Sequence, residues 1–148
     1  MKKVKIALLG LGNVGRGVWN ILQMNCEEIM KRSGCQVEVA KILVRDPSKA
    51  RAVKVPEELI TTDFDEILND DSIKIVEVMG GIEPAKEFIL KSLGKKKHIV
   101  TANKMLLATY GDELFKKADE EEVMLNYEAS VAGGIPIIQA INESLTAN

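Results

Sequence analysis

The chain has 148 residues, 46% hydrophobic and 28% charged, which suits one soluble globular domain able to bury its own core. Its 20 basic and 22 acidic residues leave a net charge of −2, which gives no reason to expect nucleic acid or an anionic membrane as a partner. Cys26 and Cys35 form no C-x-x-C pair and have no histidine nearby, so they read as free thiols of a reducing, cytoplasmic compartment rather than a zinc or redox motif.

The opening "MKKVKIALLGLG" imitates a secretion signal, but its apolar part is short, is broken by Gly10, Gly12 and Asn13, and has no cleavage pattern behind it. No run approaches the roughly 18 apolar residues of a membrane span. Val4–Leu9 is near-continuously apolar and predicts a strand buried on both faces. Val14, Val18, Ile21, Leu22 and Ile29 then recur at helical spacing, and this helix is expected to end near Gly34. Val37–Val44 predicts the second strand. Asp46-Pro47 reads as a cap followed by a first-turn proline, opening a short helix. Leu59–Thr61 predicts a short third strand, with a helix around Asp65–Asn69. Ile73–Met79 is the fourth strand, closed by Gly80-Gly81, and Pro84 opens a helix carrying Phe88, Ile89 and Leu93. Lys95–Lys97 reads as a solvated turn before the fifth strand, Ile99–Ala102. Asp112–Glu122 predicts a charged surface helix and Val123–Glu128 the sixth strand. Strands alternating with helices predict an α/β fold, a Rossmann-type doubly wound, mostly parallel sheet of about six strands. There is no internal repeat beyond this rhythm and no low-complexity linker.

Gly10-Leu11-Gly12-Asn13-Val14-Gly15 is a G-x-G-x-x-G pattern placed directly after a buried first strand and at the start of a helix. That context gives the glycines work to do. Gly10 permits the tight turn, Gly12 lets backbone approach a pyrophosphate, and Gly15 lets the helix pack against the strand. The helix N-terminus then favours the phosphates, and the segment is expected to bind a dinucleotide. An Asp or Glu at the end of the second strand would suit the ribose hydroxyls of NAD, whereas an arginine suits a 2′-phosphate. Here Arg45 occupies the strand end, Lys49 and Arg51 follow, and Asp46 is already spoken for as a cap. NADP(H) is therefore preferred, with NAD(H) use left open.

Gly80-Gly81 and Asn103-Lys104 follow the fourth and fifth strands, at the carboxyl edge where open α/β sheets bind ligands. The glycine pair serves either a plain turn or close backbone approach to the nicotinamide. Lys104, in "IVTANKMLLA", either snorkels to solvent or supplies a cation that holds a substrate carboxylate or assists proton transfer to a carbonyl oxygen. The single histidine, His98, precedes its strand on the far edge and reads as structural or solvent-facing. No Ser-His-Asp, metal-ligand or paired-carboxylate arrangement appears.

The segments "GLGNVGRGV", "VEVMGGIEPA", "IVTANKMLLA" and "YEASVAGGIPII", in this order, resemble the amino-terminal nucleotide-binding domain of homoserine dehydrogenase across essentially the whole chain. The last three are more diagnostic than the glycine fingerprint. The resemblance implies nicotinamide-dependent interconversion of aspartate 4-semialdehyde and homoserine, in the branch leading to threonine, methionine and isoleucine. It implies that Gly10, Leu11, Gly12, Asn13, Val14 and Gly15 form the pyrophosphate loop and that Arg45 selects the adenosine phosphate. It further implies that Gly80, Asn103 and Lys104 form the nicotinamide and substrate edge, with Lys104 catalytic. Glu128, Val131, Gly133 and Ile135 match positions whose backbone oxygens bind a monovalent cation, usually sodium; a glycine-rich hinge is the plainer alternative.

Family members continue into a second domain that supplies another catalytic lysine, acidic substrate-binding residues and the dimer interface of a homo-oligomer. Here Pro136 starts an apolar segment with Ile137, Ile138 and Ile141, and the sequence then stops at Asn148. Residues 1–148 are thus expected to form one NAD(P)-binding domain without the catalytic domain, binding cofactor with little or no turnover. Another small-aldehyde or imine reductase, and a nucleotide-sensing module without chemistry, are the competing readings.

Overall fold

The computed structural model describes residues 1–127. Their order is β1 (Lys2–Leu9), α1 (Asn13–Met24), α2 (Cys26–Ser33), β2 (Cys35–Leu43), β3 (Ile60–Thr61), α3 (Phe64–Leu68), β4 (Ile73–Glu77), α4 (Ala85–Gly94), β5 (Ile99–Thr101), α5 (Lys104–Glu120) and β6 (Leu125–Asn126). The strands form one sheet in the order β3-β2-β1-β4-β5-β6, every pairing parallel. The expected doubly wound sheet is what the chain forms.

β1 is apolar on both sides because it lies at the centre, between β2 and β4, with helices on each face. Ile6 and Leu8 enter one core with Val18, Trp19, Leu22 and Ile29 of α1 and α2. Ala7 and Leu9 enter the other, with Ile67 of α3, Ile89 of α4 and Leu114 of α5. Strand order reverses direction at β1: β2 and β3 lie to one side, β4 to β6 to the other. A crevice therefore opens at the carboxyl ends of β1 and β4, where the crossovers leave in opposite directions.

Local chemistry moved several boundaries. The helix expected to run on to Gly34 is two helices, broken at Asn25. Asparagine is a poor helix interior residue, whereas Glu27 and Glu28 in the first turn of α2, and Lys31 and Arg32 in its last, match the helix dipole. Asp46-Pro47 opens a turn, not a helix. The Asp46 carboxylate accepts from the Ser48 amide at 2.9 Å and its hydroxyl at 2.6 Å, a closed local arrangement that competes with helix propagation. α5 starts at Lys104, eight residues before Asp112, because Asn103 caps it by accepting from the Leu106 amide at 3.1 Å. Gly111 lies inside that helix.

Lys97 is a further correction. It is buried, not solvated, and its ammonium donates to the carbonyls of Asp70 and Ile73, tying the end of α4 to the start of β4. His98 is structural, as expected: its Nδ1 accepts from the Met124 amide at 3.1 Å, which seats the entry to β6. Burial, and secondarily the charge of Lys74, hold the imidazole below its ordinary pKa. The unfolded chain therefore takes up the proton first, so this contribution to stability is present above about pH 6.5 and is lost as the pH falls. The melting temperature should drop between about pH 7 and pH 5, and the drop should shrink in His98→Gln, whose amide oxygen can still accept from Met124. An unchanged drop in the variant would contradict this account.

Among the described residues, both cysteines are free, no helix is long and apolar enough to cross a membrane, and no cluster of His, Cys, Asp or Glu could hold a metal ion.

Candidate functional site

The loop leaving β1 is shaped by contact with β4. Gly10 has φ +107°, and a Cβ there would lie 3.1 Å from both the Val78 oxygen and the Met79 Cα, so only glycine fits. Its amide donates to the Leu43 carbonyl of β2 at 3.0 Å, and the Val78 amide donates to Leu9 at 3.0 Å, so the loop is pinned from both sides. Gly15, in the first turns of α1, packs under this loop. A Cβ there would drive into the Gly10 carbonyl, 3.0 Å from its carbon and well inside contact distance of its oxygen. Gly12 differs: apart from its chain neighbours, nothing lies within 4 Å of where its Cβ would be. The first and third glycines serve packing, and the middle one leaves space.

That space belongs to a cleft of about 770 Å³ at the carboxyl ends of β1 and β2, lined in part by Gly10, Leu11, Gly12 and Asn13. Arg16, Arg45, Lys49 and Arg51 line it as well. The N-terminus of α1 opens here, with no acidic residue in its first turn to compete for its amides. Arg45 is exposed and has no ion-pair partner among the described residues. The Arg51 guanidinium donates to the carbonyls of Asp46 at 2.7 Å and Lys49 at 2.9 Å, which folds the segment after β2 toward the cleft. Hydrogen bonds from Ser48, its hydroxyl first, hold the Asp46 carboxyl below its ordinary pKa. Those bonds occupy the one acid at this strand end. An open glycine, free helix amides and a basic rim together fit a phosphate-bearing, anionic dinucleotide.

The residues singled out from the sequence fall into separate groups. Gly10, Leu11, Gly12, Asn13 and Arg45 share the cleft. Gly15 is buried beneath it, and Val14 is exposed on α1. Gly80, Asn103 and Lys104 do not line the cleft; they gather at the ends of β4 and β5. Gly80 and Gly81 both take positive φ, +76° and +73°. Asn103 is buried, and its Nδ2 donates to the Gly81 carbonyl at 2.6 Å. Lys104 is exposed in the first turn of α5. Glu128, Val131, Gly133 and Ile135 lie outside the described residues, as does the apolar segment after Pro136.

Sequence reasoning passed over two residues. Arg16 lines the cleft and donates to the Gly12 carbonyl at 3.3 Å and to the Asn13 side chain. A cation at a helix N-terminus opposes the dipole, and that mismatch was its signal. Glu77 is fully buried at the end of β4, and its signal was a lone acid within an apolar strand.

A parallel sheet in this strand order, with a glycine loop at the reversal point, defines a dinucleotide-binding α/β domain. The family model described as "Homoserine dehydrogenase, NAD binding domain" matches residues 10–128, and the chain belongs to this family. It is 44% identical over 149 residues to the homoserine dehydrogenase of Bacillus subtilis, covering 100% of this chain and 34% of that protein. It is 47% identical over 150 residues to the homoserine dehydrogenase of Pseudomonas aeruginosa, again covering 100% and 34%. The crystal structure of a homoserine dehydrogenase from Thiobacillus denitrificans matches with a TM-score of 0.84 at 45% identity, over 100% of this chain and 34% of that one. The chain thus spans about a third of the length of the curated relatives it matches.

Proposed function

We propose that the chain is an NADP(H)-preferring cofactor unit for the interconversion of aspartate 4-semialdehyde and homoserine. The observation that carries this reading is the cleft itself, where the open Gly12 position and the basic rim of Arg45, Lys49 and Arg51 share one wall of the crevice. The amides at Leu11, Gly12 and Asn13 would hold the pyrophosphate, and Arg45 would meet the adenosine 2′-phosphate. Bound nicotinamide supplies the hydride exchanged with the semialdehyde carbon.

Gly80, Asn103 and Lys104 would meet the nicotinamide half and the substrate. A lysine in the first turn of α5 sits against the helix dipole and gains nothing for folding. Its exposure beside the crevice suits a group that takes a substrate carboxylate or stabilises charge on the substrate oxygen. The remaining substrate-binding and catalytic groups are assigned to a further domain of the kind that the longer relatives have room for, which would also carry the subunit contacts of a homo-oligomer.

Calorimetric titration with NADPH and NADH tests the cofactor reading: NADPH should bind more tightly, and failure to bind either would sink it. Assayed alone with homoserine and NADP⁺, the 148-residue chain should show no turnover above background. Clear activity would contradict the assignment of essential groups to another domain.

A further inference from the structure

Glu77 and Thr101 are cross-strand partners at the last positions of β4 and β5, and both have 0% exposure. By strand alternation they face the same way as Ile75 and Ile99, into the core covered by α3 to α5. A carboxylate in that position is costly unless its hydrogen bonds are supplied, and an apolar pair would serve packing better. Its partners are therefore informative.

The Thr101 hydroxyl donates to Glu77 Oε2 at 2.6 Å, and the Met79 amide donates to Oε1 at 2.8 Å. Burial pushes the Glu77 carboxyl up from its ordinary pKa, while bonds from Thr101, Met79, Gly80 and the Asn103 side chain oppose that shift. Thr101 Oγ1 in turn accepts from the Asn103 amide at 3.1 Å. Asn103 then works in two directions, capping α5 through the Leu106 amide and holding the Gly81 carbonyl. The circuit closes on itself: Glu77 to Thr101, Thr101 to Asn103, Asn103 to Gly81, and back through Gly80 and Met79 to Glu77. It joins the two loops that end β4 and β5, and Lys104 is the next residue along the chain from Asn103.

We propose that Glu77 is a positioning residue whose buried carboxylate locks the Met79–Gly81 loop to the first turn of α5, and so sets where Lys104 and the glycine backbone meet the nicotinamide half of the cofactor. The inference rests on the cofactor reading above. It separates the crevice into an adenosine side built on β1 and β2 and a nicotinamide side built on β4 and β5, the second governed by one acid.

Two ligands distinguish the sides: NADPH, and adenosine 2′,5′-bisphosphate, which lacks the nicotinamide. Thr101→Val keeps the side-chain shape but removes the hydroxyl that bridges Glu77 Oε2 and the Asn103 amide; Glu77→Gln keeps the shape but puts an amide nitrogen, which cannot accept, in place of one of the two carboxyl oxygens that accept from Thr101 and Met79. Each variant should bind NADPH about tenfold more weakly, the worth of one hydrogen bond to a charged group, and should lose part of the fluorescence enhancement of bound reduced nicotinamide. Binding of adenosine 2′,5′-bisphosphate should fall by clearly less, because its phosphates are assigned to the glycine loop and the β2 end, and of the Met79–Gly81 loop only Met79 reaches that cleft. Thr101→Ser, which keeps the hydroxyl, should restore NADPH binding. If Glu77→Gln fails to give a cooperative melt, the Thr101 pair decides the matter. Equal loss of both ligands, or no loss of NADPH in Thr101→Val, would overturn the positioning role while leaving the cofactor reading intact. A wild-type chain that binds neither ligand would overturn both.

Discussion

Gly12→Ala should lose about two orders of magnitude in dinucleotide affinity and melt like the wild type, whereas Gly15→Ala should lose its stability first. At Gly12 the φ of −81° lies outside the left-handed region that favours glycine, and beyond its chain neighbours nothing lies within 4 Å of the new methyl. Folding therefore has little to lose. The methyl has only the cleft to occupy, in the space assigned to the pyrophosphate, and overfilling a close-packed contact costs about 1–3 kcal/mol. At Gly15 the new atom meets backbone, the Gly10 carbonyl, and cannot be relieved by turning a side chain. The same overpacking then falls on the native state itself, with a melting temperature lower by on the order of 5 °C. Thermal melts together with NADPH titrations of both variants check the contrast. Equal behaviour of the two would contradict the division between a phosphate-facing glycine and a packing glycine.

Arg45→Ala should weaken NADPH by about ten- to a hundredfold and NADH by much less, the range expected for hydrogen bonds to a charged group. Arg45 is exposed on the cleft rim, whereas Arg51 is committed to the carbonyls of Asp46 and Lys49. The loss should be partial because Lys49 and Arg51 keep the rim basic. Added salt should erode NADPH binding more in the wild type than in the variant, since the contact is charged and exposed. A parallel loss for NADPH and NADH would mean that Arg45 does not read the 2′-phosphate.

The sheet was legible because each strand carries its own burial signature: Val4–Leu9 is apolar on both faces only because it is central. The glycine loop was legible too, since pattern and context agreed. What sequence periodicity missed were features decided by single hydrogen bonds. Ser48 turned Asp46-Pro47 away from helix. Asn103 started α5 early, across a stretch whose internal Gly111 disguised it. Lys97 looked like part of a solvated run, but two carbonyls of the β4 entry draw its ammonium inward. In the site, the residues of the Gly10–Gly15 loop were nameable from spacing, whereas Glu77 and Thr101 meet only when β4 and β5 align. No one-dimensional pattern contains that pairing.

Amide-resolved NMR titration with NADP⁺ should place the dinucleotide in the crevice at the carboxyl ends of β1 and β4. Shifts are expected at Leu11, Gly12, Asn13 and Arg45 on the adenosine side, and at Gly80, Asn103 and Lys104 on the nicotinamide side. A second groove, about 520 Å³ between α5 and β6 and lined by Phe115, Leu125 and Tyr127, provides the control. Shifts confined to that groove, with the glycine loop unmoved at saturation, would mean that the dinucleotide binds elsewhere.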